Sequence, residues 1–215
     1  MLKTLRQKNQ NITIRTLDDP AFGKYGYVLE GDYRPIVDYL NRSVSIPAEG
    51  NRYTPDDSDF KRHADRLFEP FFGGTALQYG HVAGQNTVMN AVEYHKSSEV
   101  NVAARPMVLF LGDVRDIEHE HYHTDWLEAF YIPAGAAIEL FSTTLHFSPC
   151  KVEEEGFICA VVLPKGTNSD LETQGTSSDL LFKHNKWLLI HPSHEKFAKA
   201  GAAVRLEGDP PEIRV

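Results

Sequence analysis

Between Gly73 and Pro164 the chain alternates short apolar stretches with turn residues. In order, the stretches are TALQYGHV, NTVMNAVEYH, PMVLFLG, LEAFYIP, AAIELFS, LHFSPCKV and FICAVVLP. They are rich in β-branched and aromatic residues and are separated by Gly, Pro and Asn, which predicts β-strands. A succession of many short strands is typical of an antiparallel barrel or sandwich.

The two flanks of this strand region have different patterns. The N-terminal flank contains the strand-like NITIRT and the helical DYRPIVDYLNR and DSDFKRHADRLF, separated by SIPAEGNRYTP. The C-terminal flank contains the polar loop GTNSDLETQGTSSD, the apolar LLFKHNKWLLI, the helical HPSHEKFAKAG and the β-prone AVRLEG and EIRV. We therefore predict an N-terminal strand and helical cover over residues 1–72, a β core over residues 73–165, and a C-terminal α/β extension packing on it over residues 166–215.

Composition narrows the class of protein. The 215 residues are 41% hydrophobic and 24% charged, as expected for a soluble globular protein with a real core. A net charge of −8 without a basic stripe argues against a nucleic-acid partner. The start of the chain lacks the apolar stretch of a signal peptide, and no run has the roughly 18 apolar residues that a transmembrane helix needs. We expect a cytoplasmic protein with no membrane partner.

The chain has two cysteines, Cys150 and Cys159, on either side of an acidic turn over residues 153–156. If this turn closes a symmetric hairpin, the two cysteines face each other across the ladder. Because no secretion signal is seen, we expect two free thiols rather than a disulfide.

Polar residues inside apolar strands are the first candidates for chemistry, because an unpaired buried carboxylate is costly. On a regular strand, Glu93, His95, Ser97 and Glu99 share one face of VMNAVEYHKSSEV. Two carboxylates and an imidazole can hold a divalent metal: carboxylates suit Mn or Fe, and imidazole also accepts Zn, Ni or Cu.

A second polar face lies on TTLHFSPCKV, where His146 and Ser148 oppose Leu145 and Phe147. If both strands line one barrel interior, His146 completes a ligand set with Glu93, His95 and Glu99. The alternative is that both faces simply point at water, as one face of an antiparallel sheet commonly does. Periodicity alone leaves both interpretations open.

The order of these residues resembles the cupin superfamily. E-x-H-x3-E on one strand, a Pro-x-Gly turn and a distant His are similar to the two cupin half-motifs, with Glu93 where a first His usually stands. The segments VEYHKSSEVNVAARPMVLFL and EAFYIPAGAAIELFSTTLHFSP resemble the ureidoglycolate lyase branch. The stretch from Ala21 to Tyr33 and NKWLLIHPSH resemble a bacterial family of ureidoglycolate-lyase-like cupins. The chain departs from the ureidoglycolate lyase pattern at Leu145, because that pattern has Trp directly before the His that corresponds to His146.

This resemblance implies a mainly β fold, a cupin-type antiparallel β-barrel or jelly roll, over roughly residues 75–164. It also implies a metal-assisted enzyme, a lyase or a sugar isomerase, acting on a sugar, sugar acid or ureidoglycolate-like acid. A divalent Zn, Mn, Fe or Ni ion held by Glu93, His95, Glu99 and His146 would polarise a carbonyl or hydroxyl oxygen. The alternative is a non-catalytic cupin that binds a sugar or metabolite. We expect a homodimer, because pairing would cover exposed edge strands.

Further polar residues of the strand region are candidates for the remaining roles. Glu139, or a carboxylate released from the metal such as Glu99, could act as the catalytic base. Gln78, His81 and Arg105 could bind substrate, although Gln78 and His81 lie on opposite faces of a regular strand. No G-x-S-x-G elbow or phosphate-binding Gly-rich loop is present, which disfavours a serine hydrolase and a nucleotide-dependent kinase.

The histidine-rich stretch IEHEHYHTD, residues 117–125, could also suggest a metal site. The cupin resemblance places it in a connecting loop of variable length between two strands. We interpret it as a solvated, charge-rich loop. The alternative is a lid in which Tyr122 or His123 folds over the mouth of the barrel.

Overall fold

Most of the regular structure in the protein is β-strand, as the alternating pattern predicts. We describe a computed structural model over residues 1–64, 66–172 and 178–215. Two sequence predictions extend beyond these ranges: the helix in DSDFKRHADRLF includes Asp65, and the polar loop over residues 166–179 includes residues 173–177.

The helices and strands are numbered along the chain. The α-helices are α1 (Leu2–Lys8), α2 (Arg34–Ser43), α3 (Ser58–Ala64) and α4 (Glu195–Lys199). The first strands are β1 (Ile14–Arg15), β2 (Gly26–Val28), β3 (Asn51–Thr54), β4 (Leu77–Gly84), β5 (Ala91–Tyr94), β6 (Glu99–Ala103), β7 (Met107–Asp113) and β8 (Tyr122–His123). The later strands are β9 (Glu128–Ile132), β10 (Ala137–Leu140), β11 (Thr144–Leu145), β12 (Cys150–Lys151), β13 (Phe157–Pro164), β14 (Leu181–Lys183), β15 (Lys186–Ile190), β16 (Ala203–Val204) and β17 (Leu206–Glu207).

Two facing sheets form the centre of the molecule. The first has the order β2-β10-β6-β13-β4-β3. In the second, β7 pairs with β9 on one side and with β11 and β12 on the other. Strand β5 joins this second layer through the backbone pair Glu93 and His146, which lies between β11 and β12.

The order of the central strands is that of a jelly roll. Strands β4, β13, β6 and β10 form one layer, and β5, the broken strand β11 and β12, β7 and β9 form the other. Eight strands in two such Greek keys make a double-sheet jelly roll. The predicted jelly roll is present, but its two sheets do not close into a barrel, because the outer strands of the layers pair with added strands rather than with each other.

All four outer strands of the jelly roll are covered by flanking segments. β1 pairs with β9, β2 with β10, β3 with β4, and β15 with β5. The LLFKHNKWLLI segment therefore covers an edge within the chain, as the hairpin of β14 and β15. Exposed edges were the reason to expect a homodimer, and these edges are paired. The homodimer stays a prediction, and light scattering at micromolar concentration tests it.

Apolar residues fill three layers. Between the sheets lie residues such as Leu109, Phe130 and Phe157. Ile36 and Leu40 of α2, with Phe60 of α3, pack on the outer face of the first sheet. Leu5, Ile14, Phe110, Tyr122 and Leu206 belong to a cluster on the outer face of the second sheet. Both faces of both sheets are thus largely buried.

The two cysteines do not face each other. Cys150 lies in β12 of the second layer, and Cys159 lies in β13 of the first. Both are buried free thiols. The symmetric hairpin that would bring them together does not form, because each strand pairs with a different neighbour. Among the described residues, no helix is long and apolar enough to cross a bilayer.

Candidate metal centre

The predicted ligands lie where the chain crosses between the two sheets. Glu93 is in β5, His95 follows it directly, and Glu99 begins β6 in the other sheet. The chain turns over residues 96–98, so the expected single strand with all three on one face is wrong. His146 follows β11 and pairs with Glu93 through backbone hydrogen bonds of 2.7 and 3.0 Å. This pair joins residues distant in sequence.

The side chains of these four residues converge. One ligand atom from each of Glu93, His95 and His146 lies within 4.8 Å of the others. The imidazole centroids of His95 and His146 are 5.3 Å apart. Oε2 of Glu99 lies 3.5 Å from Nε2 of His95 and 3.4 Å from Nε2 of His146. The structure thus brings the four residues together, while their role as ligands stays a prediction.

Both imidazoles are oriented by backbone carbonyls. Nδ1 of His95 lies 2.6 Å from the carbonyl oxygen of Asn185, and Nδ1 of His146 lies 2.9 Å from that of Thr144. Because a carbonyl only accepts, each Nδ1 carries the proton, and a neutral ring presents its Nε2 lone pair to the site. Within the described chain, both buried Nε2 atoms lack a hydrogen-bond partner. This arrangement fits a metal ion, since metal-bound histidines are commonly held through the other ring nitrogen.

Each carboxylate is secured through one oxygen. Oε1 of Glu99 accepts a 2.8 Å hydrogen bond from Nδ2 of Asn101, which leaves Oε2 toward the imidazoles. Oε2 of Glu93 contacts Nζ of Lys186, and Oε1 lies 4.0 Å from Nε2 of His95. Two carboxylates and two imidazoles suit Mn, Fe or Zn.

Sequence reasoning missed Asn185, which holds the turn after His95 in place. Asn185 has a φ of 53° between β14 and β15. Its Oδ1 accepts from the backbone N–H of Lys96 at 2.9 Å, and its Nδ2 donates to Oγ of Ser97 at 3.1 Å. Lys186 was missed as well. The sequence signal that could have identified both residues is the polar H-N-K turn inside the apolar segment LLFKHNKWLLI.

Mutual attraction sets the protonation of the buried pair Glu99 and His146. Burial alone would lower the pKa of His146, but the negative charge of Glu99 outweighs burial and raises it to about 9. Burial would likewise raise the pKa of Glu99, yet the imidazoles of His146 and His95 hold it well below its usual range. Without a metal, the site therefore holds an imidazolium beside a carboxylate at neutral pH.

We expect metal binding to release about one proton per ion at pH 7, since the ligand must be neutral imidazole and metal-free His146 is protonated. Below the His146 pKa of about 9, affinity should rise with pH, and above it the proton release should fall toward zero. Calorimetry in buffers of different ionisation enthalpy measures the number of protons. A release near zero at pH 7 would contradict the protonated pair.

A cavity of about 770 Å³ opens beside the ligand set. Glu93, Glu99 and His146 line it, as do Asn101 of β6 and Lys186 of β15. A cavity of this size is typical of small-molecule sites. The ligand set therefore has access to a substrate-sized space.

The predicted substrate-binding residues lie elsewhere. Gln78 donates to the carbonyl of Thr167 at 3.0 Å and accepts from the N–H of Gly166 at 2.8 Å, so it holds a loop. Nδ1 of His81 lies 3.5 Å from Oδ2 of Asp57. Arg105 lines a separate cleft of about 530 Å³. None of the three predicted residues lines the cavity at the metal centre, which argues against a role in binding substrate there.

Glu139 faces away from the cavity. Its neighbours on β10, Ile138 and Leu140, point into the core between the sheets. Alternation along the strand places Glu139 on the outer face of the first sheet. It does not line the cavity, which argues against its predicted role as catalytic base. Glu99 remains as the candidate.

The histidine-rich stretch forms a turn outside the cavity at the ligand set. His119 and Glu120 have φ angles of 50° and 66°, and Glu118 pairs with His121 through hydrogen bonds of 3.0 and 2.8 Å. Tyr122 is only 1% exposed and packs in the core, so it cannot be the lid that was the alternative. Neither Tyr122 nor His123 lines the cavity.

Replacing His119, His121 and His123 together by Asn should leave metal content and fold unchanged, because none of them lines the cavity. Metal analysis and circular dichroism of the triple variant measure both quantities. Loss of stoichiometric metal would place the true site in this loop.

Comparisons with known proteins give a family and a distant structural likeness. The family described as "Domain of unknown function (DUF4867)" matches residues 14–210. No curated protein matches significantly. A structure of oxalate decarboxylase from Bacillus subtilis at pH 4.6 aligns with a TM-score of 0.36 and 13% identity, over 58% of this chain and 28% of that chain. Another, titled for a structural element that modulates proton-coupled electron transfer, aligns with a TM-score of 0.37 and 12% identity, over 58% and 28%. Scores at this level do not establish a shared activity.

Proposed function

The chain belongs to the family described as "Domain of unknown function (DUF4867)", and we propose that it is a metal-assisted, cupin-type enzyme of small-molecule metabolism. Its substrate is a small hydroxy or keto compound, and its reaction is that of a lyase or an isomerase. The jelly-roll order of the strands supports the cupin assignment, since cupins share this architecture.

One observation carries this proposal: two buried imidazoles direct their Nε2 atoms at one shared carboxylate, Glu99, without a hydrogen bond to it. Burying polar atoms without partners is costly, and it is retained where a ligand supplies the missing partner. Glu93, His95 and His146 would hold a divalent ion, with Glu99 either as a further ligand or as a base. When bound, such an ion supplies Lewis-acid polarisation of a substrate oxygen.

The chain's own residues position the groups around this centre. Asn185 and the carbonyl of Thr144 orient the imidazoles, and Asn101 holds Glu99 with one oxygen free. Glu99 is buried beside both imidazoles, whose charge lowers its pKa in the metal-free site. With the imidazoles neutral as metal ligands, that effect is removed, and Glu99 would take a proton from a substrate in the cavity. Sequence resemblance to ureidoglycolate lyases favours lyase action, and aldose–ketose isomerisation is equally compatible with a polarised oxygen and a base.

A non-catalytic binding protein is the second candidate, and one observation favours it. If Glu99 is a fourth ligand, the remaining acidic residue on the cavity wall besides Glu93 is Glu49, which is exposed. The described cavity would then lack a buried carboxylate for proton transfer, which a catalyst of this kind needs.

Metal analysis of protein purified without chelator or affinity-tag nickel tests the proposal. We expect about one divalent ion per chain, because the donor set forms one compact group. Metal-free protein that gains no metal on dialysis against Mn, Fe or Zn would refute the metal centre.

A further inference from the structure

One wall of the cavity carries positive charge from the C-terminal segment. Lys183, Lys186 and Lys196 line this wall, although the protein as a whole has a net charge of −8. Burial is the first cause of a lowered pKa at His194, and the neighbouring Lys196 and Lys186 lower it further. The cavity thus gathers three ammonium groups on its C-terminal side, which the net charge of the chain does not predict.

Aromatic rings hold two of these ammonium groups. Nζ of Lys186 lies 6.0 Å from the ring centre of Phe147 and 5.9 Å from that of Phe197. Nζ of Lys183 lies 5.6 Å from the ring centre of Phe182. Contacts of this kind stabilise a cation and restrict where its long side chain points. The cationic wall is therefore partly preorganised.

The charges on this wall are only partly neutralised within the chain. Lys186 contacts the ligand Glu93, and Lys183 pairs with Asp170 at 2.5 Å. Lys196 is exposed and makes no ion pair with the described residues. A divalent ion on Glu93 would offset the charge that Glu93 supplies to Lys186. An incoming anion would then meet Lys186 and Lys196 on a wall that is only partly neutralised.

The rest of the cavity offers neutral hydrogen-bonding groups. Asn51, Asn86, Asn90, Asn101 and Asn168 contribute amides, and Tyr53 contributes a hydroxyl. Oδ1 of Asn168 is buried without a partner in the described chain. Burial raises the pKa of Tyr53 to about 12, so its hydroxyl stays a neutral donor. Amides and hydroxyls of this kind suit ligand hydroxyl groups, because both sides can donate and accept.

We infer that the cavity binds a small polyhydroxylated anion, whose acidic group faces Lys186 and Lys196 and whose hydroxyls meet the amide groups. Its acidic group is a carboxylate or a phosphate ester, which the lysines alone do not distinguish. This inference deepens the proposed function and rests on it for the metal centre at the same cavity. The inference also gives a role to Lys183 and Lys186, which lie on the hairpin of β14 and β15 and line the cavity.

Titration calorimetry with matched ligands tests the inference. The panel consists of neutral aldoses with their aldonates, uronates and phosphate esters, measured with metal-loaded and chelator-treated protein. We expect an anion to bind at least about tenfold more tightly than its neutral parent, as charge-assisted hydrogen bonds imply. A preference for aldonates or uronates identifies a carboxylate, and a preference for sugar phosphates identifies a phosphate ester. Equal or absent binding of charged and neutral ligands would overturn the inference.

Charge-removing variants locate the effect. Lys196→Gln lies on the exposed rim and should weaken anion binding by about threefold to tenfold without changing metal content, because it loses one charged contact. Lys186→Gln should weaken it further. Lys8→Gln removes the same charge from exposed α1 and should leave affinity unchanged. If the Lys196→Gln and Lys186→Gln variants bound the anion as tightly as the Lys8→Gln variant, this would contradict the assignment of the cationic wall.

Metal content of the same samples separates this inference from the proposed function. Stoichiometric metal without a preference for anions would retain the metal centre and refute the cationic wall. A preference for anions in a protein that takes up no metal would retain the wall and refute the metal centre.

Discussion

His146→Ala is expected to abolish stoichiometric metal binding while the jelly roll stays folded. Loss of a group that only hydrogen-bonds to a metal ligand typically weakens metal affinity about 10–100-fold. Loss of a ligand itself should therefore weaken metal affinity by more than about 100-fold. The variant removes one of two Nε2 donors and leaves Glu99 beside His95 alone. Metal analysis after dialysis measures the loss, and circular dichroism reports the fold.

A matched control for this variant is His81→Ala. His81 is also buried, but it lies away from the cavity and faces Asp57. We expect His81→Ala to retain metal, because it removes a buried imidazole without touching the ligand set. Retention of one metal per chain in His146→Ala would show that His146 is not a ligand.

The second large effect is expected from Glu99→Gln. The substitution keeps the size and the contact with Asn101 but removes the base, so turnover of a substrate found in the ligand panel should fall by roughly 10²–10⁴. Metal should be retained through Glu93, His95 and His146. In metal-free protein, the pKa of His146 should also fall, because the negative charge that raises it is gone. Nuclear magnetic resonance titration measures this pKa without any substrate.

Glu139→Gln is the control for the second prediction. This substitution makes the same chemical change on the outer face of the first sheet, away from the cavity. We expect its turnover to remain near that of the unchanged protein. Full activity of Glu99→Gln with metal retained would remove Glu99 from the mechanism, and loss of metal would instead make it a ligand.

Some of the candidate site could be found from sequence because the signal was local. Glu93, His95 and His146 are polar residues among apolar neighbours, and such residues are costly to bury without a purpose. The same reasoning proposed Glu139, Gln78 and His81, which the structure places elsewhere. Alternation separates the two faces of a strand but does not say which face meets the cavity. Here both faces of the first sheet are buried, so burial could not distinguish them either.

The sequence by itself determined the mainly β character of residues 73–165 and the polar positions that could bind a metal, because alternation is a property of neighbouring residues. Only the tertiary structure decided which of them meet. The pairing of Glu93 with His146 and the approach of Asn185 and Lys186 to the site depend on contacts between distant segments. The histidine-rich loop shows the converse: close spacing in sequence does not create a site when the fold directs Tyr122 into the core. Long-range packing sets these outcomes, since it is the summed burial of many side chains that selects one arrangement of the strands.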